Sequence, residues 1–426
     1  MTSSPTFVVS VSNHERPHFD RLSANDGGQW TRHRNCGREH LVWVLLAALA
    51  LALSACARVI AWPSPDVDQD FVRRHITAME MKPFDGLVLQ ATMAGQEGAA
   101  RLFAWSAMNR RYGADEFRPF VEAMRGVPFG RFRHNFLRIN LNPTDRPFDM
   151  FDDGTWEILT TNVAAAAAAA REAGLRGFML DPEAYAEAEP GAEIPRFNVF
   201  DFRLRRTDRD FSAYRREALR RGQAVGHAAV SAYPGITLIF AFGPGATCLG
   251  RGPLPERTYG LLGAFVDGVL AGAAGEATVV EGFELSYPYR SCDRFQEAYA
   301  SLRGPCRDLS LDPAKYDRWL EIGFGIWMDY DSATTCRDAR ASGRTCPWFD
   351  LSLYPAERQY LVDPERFAQA VASARALSDG YVWIYTEEPQ WWTEAHPLGE
   401  NLPDAYVRAV ERGREATGLS CPRPMQ

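Results

Sequence analysis

The chain has 426 residues, 47 Lys and Arg against 54 Asp and Glu, and a formal charge of -7 at pH 7. That length suits one α/β barrel or two smaller domains. Past residue 55 no basic block remains and only Lys82 and Lys315 are lysines, which argues against a nucleic-acid surface.

Residues 1–55 read as a targeting segment rather than part of a fold. Arg32, Arg34 and Arg38 form a basic stretch, Leu41–Leu53 is the apolar run LVWVLLAALALAL, and LSAC follows at Leu53–Cys56. The run is short for a bilayer span and suits a signal h-region. Small residues ending at a cysteine resemble the lipobox of bacterial lipoproteins. This implies a lipidated Cys56 as first mature residue and a protein anchored in the cell envelope, on the periplasmic or extracellular face. The alternative is an ordinary signal peptide with a chance cysteine. The polar residues 1–30 have no pattern and read as a start-site artefact. Residues 56–70, rich in Pro and Asp, read as a tether, and 71–426 as the folded body.

FVRRHITAMEM opens the body as an amphipathic helix, after which strand-like runs alternate with helical ones. The runs are 85–91 (DGLVLQA), 135–141 (NFLRINL), 176–183 (RGFMLDPE), 236–242 (ITLIFAF), 279–287 (VVEGFELSY), 322–330 (IGFGIWMDY) and 380–387 (GYVWIYTE), with 102–108 (LFAWSAM) as a weaker eighth. Helical patterns cover 156–174, 211–232, 259–275 and 363–378. The alanine run in the first has high helix propensity, and Gly174 is a stop signal. Such a series predicts parallel strands with crossover helices, and seven or eight units predict a single (β/α)₈ barrel. No glycine-rich loop follows the first strand, which removes a nucleotide-binding fold and with it an expected cofactor.

Outside the leader lie Cys248, Cys292, Cys306, Cys336, Cys346 and Cys421. An even number in an exported chain predicts disulfides, and proximity in sequence suggests Cys336–Cys346 and Cys292–Cys306. No CxxC spacing supports zinc or redox chemistry. His75, His134, His227 and His396 are scattered without HExxH, so no metal is expected, and no GxSxG elbow makes Ser286 a nucleophile.

Side chains two apart on a strand share a face. With Phe178 and Leu180 on the helix side, Gly177, Met179, Asp181 and Glu183 point into the barrel. The same parity turns Gln90, Arg138, Asn140, Gly282, Glu284, Ser286, Trp327, Asp329, Tyr381, Trp383, Tyr385 and Glu387 inward. Asp181, Glu183, Glu284 and Glu387 then meet at the carboxyl end of the barrel, where such folds place their chemistry. Pro182 cannot join a sheet ladder and keeps Asp181 extended, so LDPE is a strand end presenting two acids. Any one of these acids could equally cap a loop or pair with Arg138.

Paired acids in an aromatic-lined cleft suit glycoside hydrolysis, which needs no cofactor. Asn140, Tyr185, Tyr287, Trp327, Asp329, Tyr385, Trp391 and Trp392 are the candidate sugar contacts, with the two adjacent tryptophans either stacking on sugar rings or belonging to the core. PFDGLVL, NFLRINL, AAREAGLRGFMLDPEAY, FVDGVL, GFELSY and YVWIYTEEPQWW together resemble a family of bacterial TIM-barrel proteins described as glycoside-hydrolase-like. The likeness runs from about Asp66 to Trp392 and implies the barrel and a carbohydrate substrate. The family's recurrent acids fall on Asp181, Glu183, Glu284 and Glu387. Glu281 stands where Asp is expected, on the outward parity. Glu183 is the expected general acid, its pKa raised by Asp181, with Glu284 or Glu387 as nucleophile or base. In a substrate-assisted variant Asp181 would orient an acetamido group. The rival is a non-catalytic surface lipoprotein that binds glycans, which needs only one acid and the aromatic wall. A third possibility is a structural envelope protein whose acids are neutralised by Arg138. If the lipobox operates, Cys56→Ser releases the protein from the membrane fraction; continued membrane association of that variant contradicts it.

Overall fold

The computed structural model describes residues 57–64, 66–93, 95–96, 101–143, 146–185, 197–330, 363–387, 390–394, 396–399, 402–416 and 421–424. The targeting segment with Cys56, and the proposed pair Cys336–Cys346, lie outside these. Among the described residues no helix is long and apolar enough to cross a membrane.

Eight parallel strand positions form the barrel: β1 Arg58–Pro63, β2 Gly86–Gln90, β3 Phe136–Asn140, β4 Gly177–Asp181, β5 Thr237–Phe240, β6 Thr278–Glu281, β7 in two segments, Leu320–Ile322 and Phe324–Trp327, and β8 Tyr381–Thr386. Pairing runs from the first segment of β7 through β6, β5, β4, β3, β2, β1 and β8 to its second segment. The two ends of the sheet are therefore one chain segment broken at Gly323, whose N–H donates to Glu281 O at 2.7 Å. The strand order closes the expected (β/α)₈ barrel. A two-residue strand, Val67–Asp68, adds to the edge of β2.

Helices return the chain between strands. Asp153–Glu172 carries the alanine run, is capped by Asp152 through Thr155 N–H, and stops at Gly174 with φ +73°. Phe211–Ala232 and Leu262–Ala273 approach at backbone distance: a Cβ on Gly222 would lie 1.9 Å from Phe265 O, and one on Gly268 2.1 Å from Leu219 O. Inside the barrel, Trp383 and Trp62 pack with centroids 5.0 Å apart. Gly325 leaves the space for Trp383, since a Cβ there would come within 2.5 Å of its ring. The indole Nε1 of Trp383 donates to Gly282 O at 2.8 Å, so this large interior ring costs no unmet donor.

Four expectations are corrected. Residues 56–70 are not a tether throughout, because RVIAWP is β1, hydrogen-bonded between β8 and β2. The run 102–108 is no strand: Phe103–Ser106 is a short helix. The run 279–287 leaves the sheet at Glu281, turns at Phe283 with φ 42°, and continues as the 3₁₀ turn Glu284–Ser286. Cys292 does not bond Cys306; the bridges are Cys248–Cys306 and Cys292–Cys421. Cys292–Ser301 is helical and Leu302–Cys306 continues the winding. Fourteen residues at ~1.5 Å each separate the two cysteines by roughly 20 Å, far beyond the ~7 Å limit of a disulfide.

Candidate active site

The carboxyl ends of β1, β3 and β4 converge on one cation. Arg138 is 7% exposed and donates from Nε to Asn140 Oδ1 (3.0 Å), from Nη1 to Asp66 Oδ2 (2.9 Å), and from Nη2 to Asp181 Oδ2 (2.6 Å) and Tyr185 Oη (2.9 Å). Its guanidinium lies over Trp105 at 4.6 Å and Trp62 at 5.2 Å, and Trp62 Nε1 donates to the other oxygen of Asp66. A planar cation with donors on three nitrogens is suited to this bracing, which an ammonium could not reproduce.

Asp181 is 1% exposed and fully engaged: Oδ2 takes Arg138 and Tyr185 Oη (2.6 Å), and Oδ1 takes the N–H of Glu183 at 2.9 Å. The last bond is an Asx turn across Pro182, and Asn142 holds the Pro182 carbonyl. The LDPE end is thus a corner in which the first acid anchors the second.

Glu183 emerges half-buried. Its pKa is pushed up to about 7, first by burial and then by the charges of Asp181 and Glu387, with Tyr185 and Arg138 opposing. Glu284 is also half-buried and held well above the usual carboxylate range by burial, then by Glu183 and Asp181. Among the described residues no hydrogen bond or ion pair reaches its carboxylate. Glu387, the third half-buried acid, accepts from Tyr385 Oη at 3.3 Å. The cation that would neutralise these acids in a purely structural barrel is committed to Asp66 and Asp181.

Tyr185, Tyr259 and Tyr385 are half-buried around the acids. Tyr259 Oη accepts from Ala184 N–H, and Tyr287 stacks on Tyr385 with centroids 5.9 Å apart. Trp327 is 3% exposed and backs this wall, its ring 5.4 Å from Tyr287. Other expected contacts lie deeper. Asp329 is fully buried and accepts from Trp327 Nε1 and from the Glu387 N–H, so it holds the end of β8. Trp391 and Trp392 are also fully buried, against Phe84 at 4.9 and 5.9 Å, and are core rather than a stacking wall. Ser286 donates to Phe283 O and Gly325 O. Asn140 is buried beside Arg138, its Nδ2 meeting no acceptor among the described residues.

Asp66, Trp62, Trp105 and Tyr259 were not singled out from sequence. The signal for Trp62 was present, since in RVIAWP the parity that turns Ile60 inward also turns Trp62. Among the described residues no group of three His, Cys, Asp or Glu side chains is arranged to hold a metal ion.

No protein family's sequence profile matches the chain, and no curated protein is similar to it in sequence. Similar solved structures include a beta-mannanase from the blue mussel Mytilus edulis (10% identity, 86% of this chain and 94% of that one, TM-score 0.40). A GH5-4 broad-specificity endoglucanase from an uncultured bacterium follows at 10% identity, 85% and 96% coverage and TM-score 0.43. The catalytic core of xylanase A stands at 12%, 85% and 99%, with TM-score 0.39. The barrel assignment rests on the strand order itself.

The raised carboxyl of Glu183 makes a pH prediction. Its pKa is about 7 in the folded protein against 4.5 for the unperturbed group. Between these values the folded state holds more protons than the unfolded chain, so the contribution is complete at low pH and is lost as pH rises through 7. His134, lowered to about 4 by burial and then by Arg58 and Arg176, acts with the opposite sign, but it cancels when the protein is compared with Glu183→Gln. The stability difference between the two, from thermal unfolding, is expected to fall between pH 4.5 and 7.5. A difference that is flat or grows with pH contradicts the assignment.

Proposed function

We propose that the barrel is a glycoside hydrolase in which Glu183 is the general acid and Glu284 the base or nucleophile, acting on an envelope or extracellular glycan. The observation that carries the reading is the pair of half-buried glutamates, both raised in pKa, with Glu183 raising Glu284 and the nearby cation already taken. Two like charges in one recess disfavour double ionisation, so the two acids titrate as a coupled pair.

In the reactive form the proton is assigned to Glu183. Tyr185 has one hydroxyl hydrogen, and at 2.6 Å it goes to Asp181 Oδ2. Toward Glu183 the same hydroxyl lowers the pKa, as Arg138 does, against the larger effects of burial and Asp181. Glu284, its pKa raised by burial and then by Glu183, is ionised in that form. In the reaction Glu183 gives its proton to the glycosidic oxygen as the bond to the anomeric carbon breaks. Glu284 attacks that carbon or takes a proton from an attacking water, and water supplies the final hydroxyl. The tyrosines around the acids present ring faces and hydroxyls to a sugar.

Residues 57–426 screened against polysaccharides and aryl glycosides test this. On an identified substrate Glu183→Gln is expected to lower turnover by about 10² to 10⁴-fold, least on aryl glycosides with good leaving groups, which need little protonation. Glu284→Gln is expected to lose activity on all of them. Wild-type rates for both variants would remove this pair from the chemistry. Absence of any glycan turnover or binding by the parent would remove the hydrolase reading itself.

A further inference from the structure

We infer that Glu281, on the outer face of β6, is a positioning residue that fixes Glu284 relative to Glu183; this rests on the proposed roles of those two acids. Glu281 is 0% exposed, and among the described residues no cation is paired with it. Instead its carboxylate gathers three backbone donors: Gly243 N–H (3.0 Å) and Phe283 N–H (3.1 Å) on Oε1, and Gly245 N–H (3.0 Å) on Oε2. Backbone N–H groups replace the lost hydration of a buried carboxylate.

The donors belong to two different loops. Phe283 has φ 42° and ψ 62°, the left-handed region, which a non-glycine residue occupies only under constraint from its surroundings. Its N–H is held by Glu281, and the next residue is Glu284, whose own N–H donates to Ala241 O at 2.9 Å. Gly243 and Gly245 begin the loop after β5. A Cβ on Gly243 would meet Glu281 Oε2 at 3.1 Å, and one on Gly245 would meet the Phe283 ring at 2.8 Å. That loop continues to Thr247, whose hydroxyl donates to Tyr259 O (2.7 Å), and the Tyr259 hydroxyl accepts from Ala184, next to Glu183. One carboxylate outside the barrel therefore ties the turn carrying Glu284 to the loop that reaches Glu183.

Glutamine at 281 keeps the shape but has one carbonyl oxygen and one amide nitrogen, so one of the two N–H edges faces another donor. Glu281→Gln is expected to release one loop and move Glu284. With glutamate carboxyl carbons labelled with ¹³C, the Glu284 titration midpoint should shift by about half a unit or more, since its surroundings set that pKa. On any substrate found, kcat should fall by about 10 to 10²-fold, as misplacement of a reacting group by ~1 Å does. Val163→Ala, in a helix remote from both loops, is the control: it should lower the melting temperature and leave the Glu284 midpoint in place. Gly243→Ala, which presses on the same carboxylate from the other loop, should shift the midpoint in Glu281→Gln's direction by less. The carboxyl titration needs no turnover, so it is decided even if no glycan is hydrolysed. An unchanged Glu284 midpoint in a folded Glu281→Gln overturns the inference; if that variant does not fold, an unchanged midpoint in Gly243→Ala does so.

Discussion

The buried guanidinium of Arg138 organises this barrel mouth. Its three nitrogens reach Asp66 after β1, Asn140 on β3 and Asp181 at the end of β4, and tryptophan faces cover it. In such a desolvated setting a cation is tolerable only with its counter-ions in place, and removing one partner of a buried pair costs about 3 to 5 kcal/mol. The three strand ends are thus set by one group. Because that group has two aspartates to satisfy, its effect on the glutamates above is outweighed by burial and by Asp181.

The acids consequently divide into two layers. Asp66, Asp181 and Asp329 are buried and act through hydrogen bonds that hold other residues: Arg138, the Glu183 N–H and the Glu387 N–H. Glu183, Glu284 and Glu387 stand half-buried where a ligand could reach them. The anchored Asp181 fixes the direction of Glu183 and, after burial, is what raises its pKa. Glu281 plays a comparable part outside the barrel by satisfying its charge with backbone N–H groups instead of a cation.

The barrel was legible because alternating strand runs and periodic helices repeat along the chain, and seven of the eight strand positions could be placed from that pattern. The missing one, RVIAWP, follows an apolar export segment so closely that its own apolar residues merged with the leader. Its loss hid Trp62 and made Asp66 look like linker. Parity on β3, β4 and β8 turned Arg138, Asp181 and Trp383 the right way, since period-2 geometry is local. It was less informative for 279–287, where the chain leaves the sheet at Glu281 and the left-handed Phe283 delivers Glu284 to the mouth by a turn. Nothing local announces such a turn, because the constraint is a carboxylate paired with glycines nearly forty residues earlier. Disulfide partners and the burial of Trp391 and Trp392 were illegible for the same reason: both are long-range facts, and adjacency in sequence was a poor guide to either.

The central claim is that Glu183 and Glu284 share a proton above the aspartates that Arg138 braces. The most direct test is a pH titration of their side-chain carboxyl carbons by ¹³C NMR in the folded, unmodified sequence. The pair is expected to hold at least one proton still at pH 7 and to titrate as a coupled unit. Two independent ionisations near the ordinary glutamate value, complete by pH 6, would contradict it.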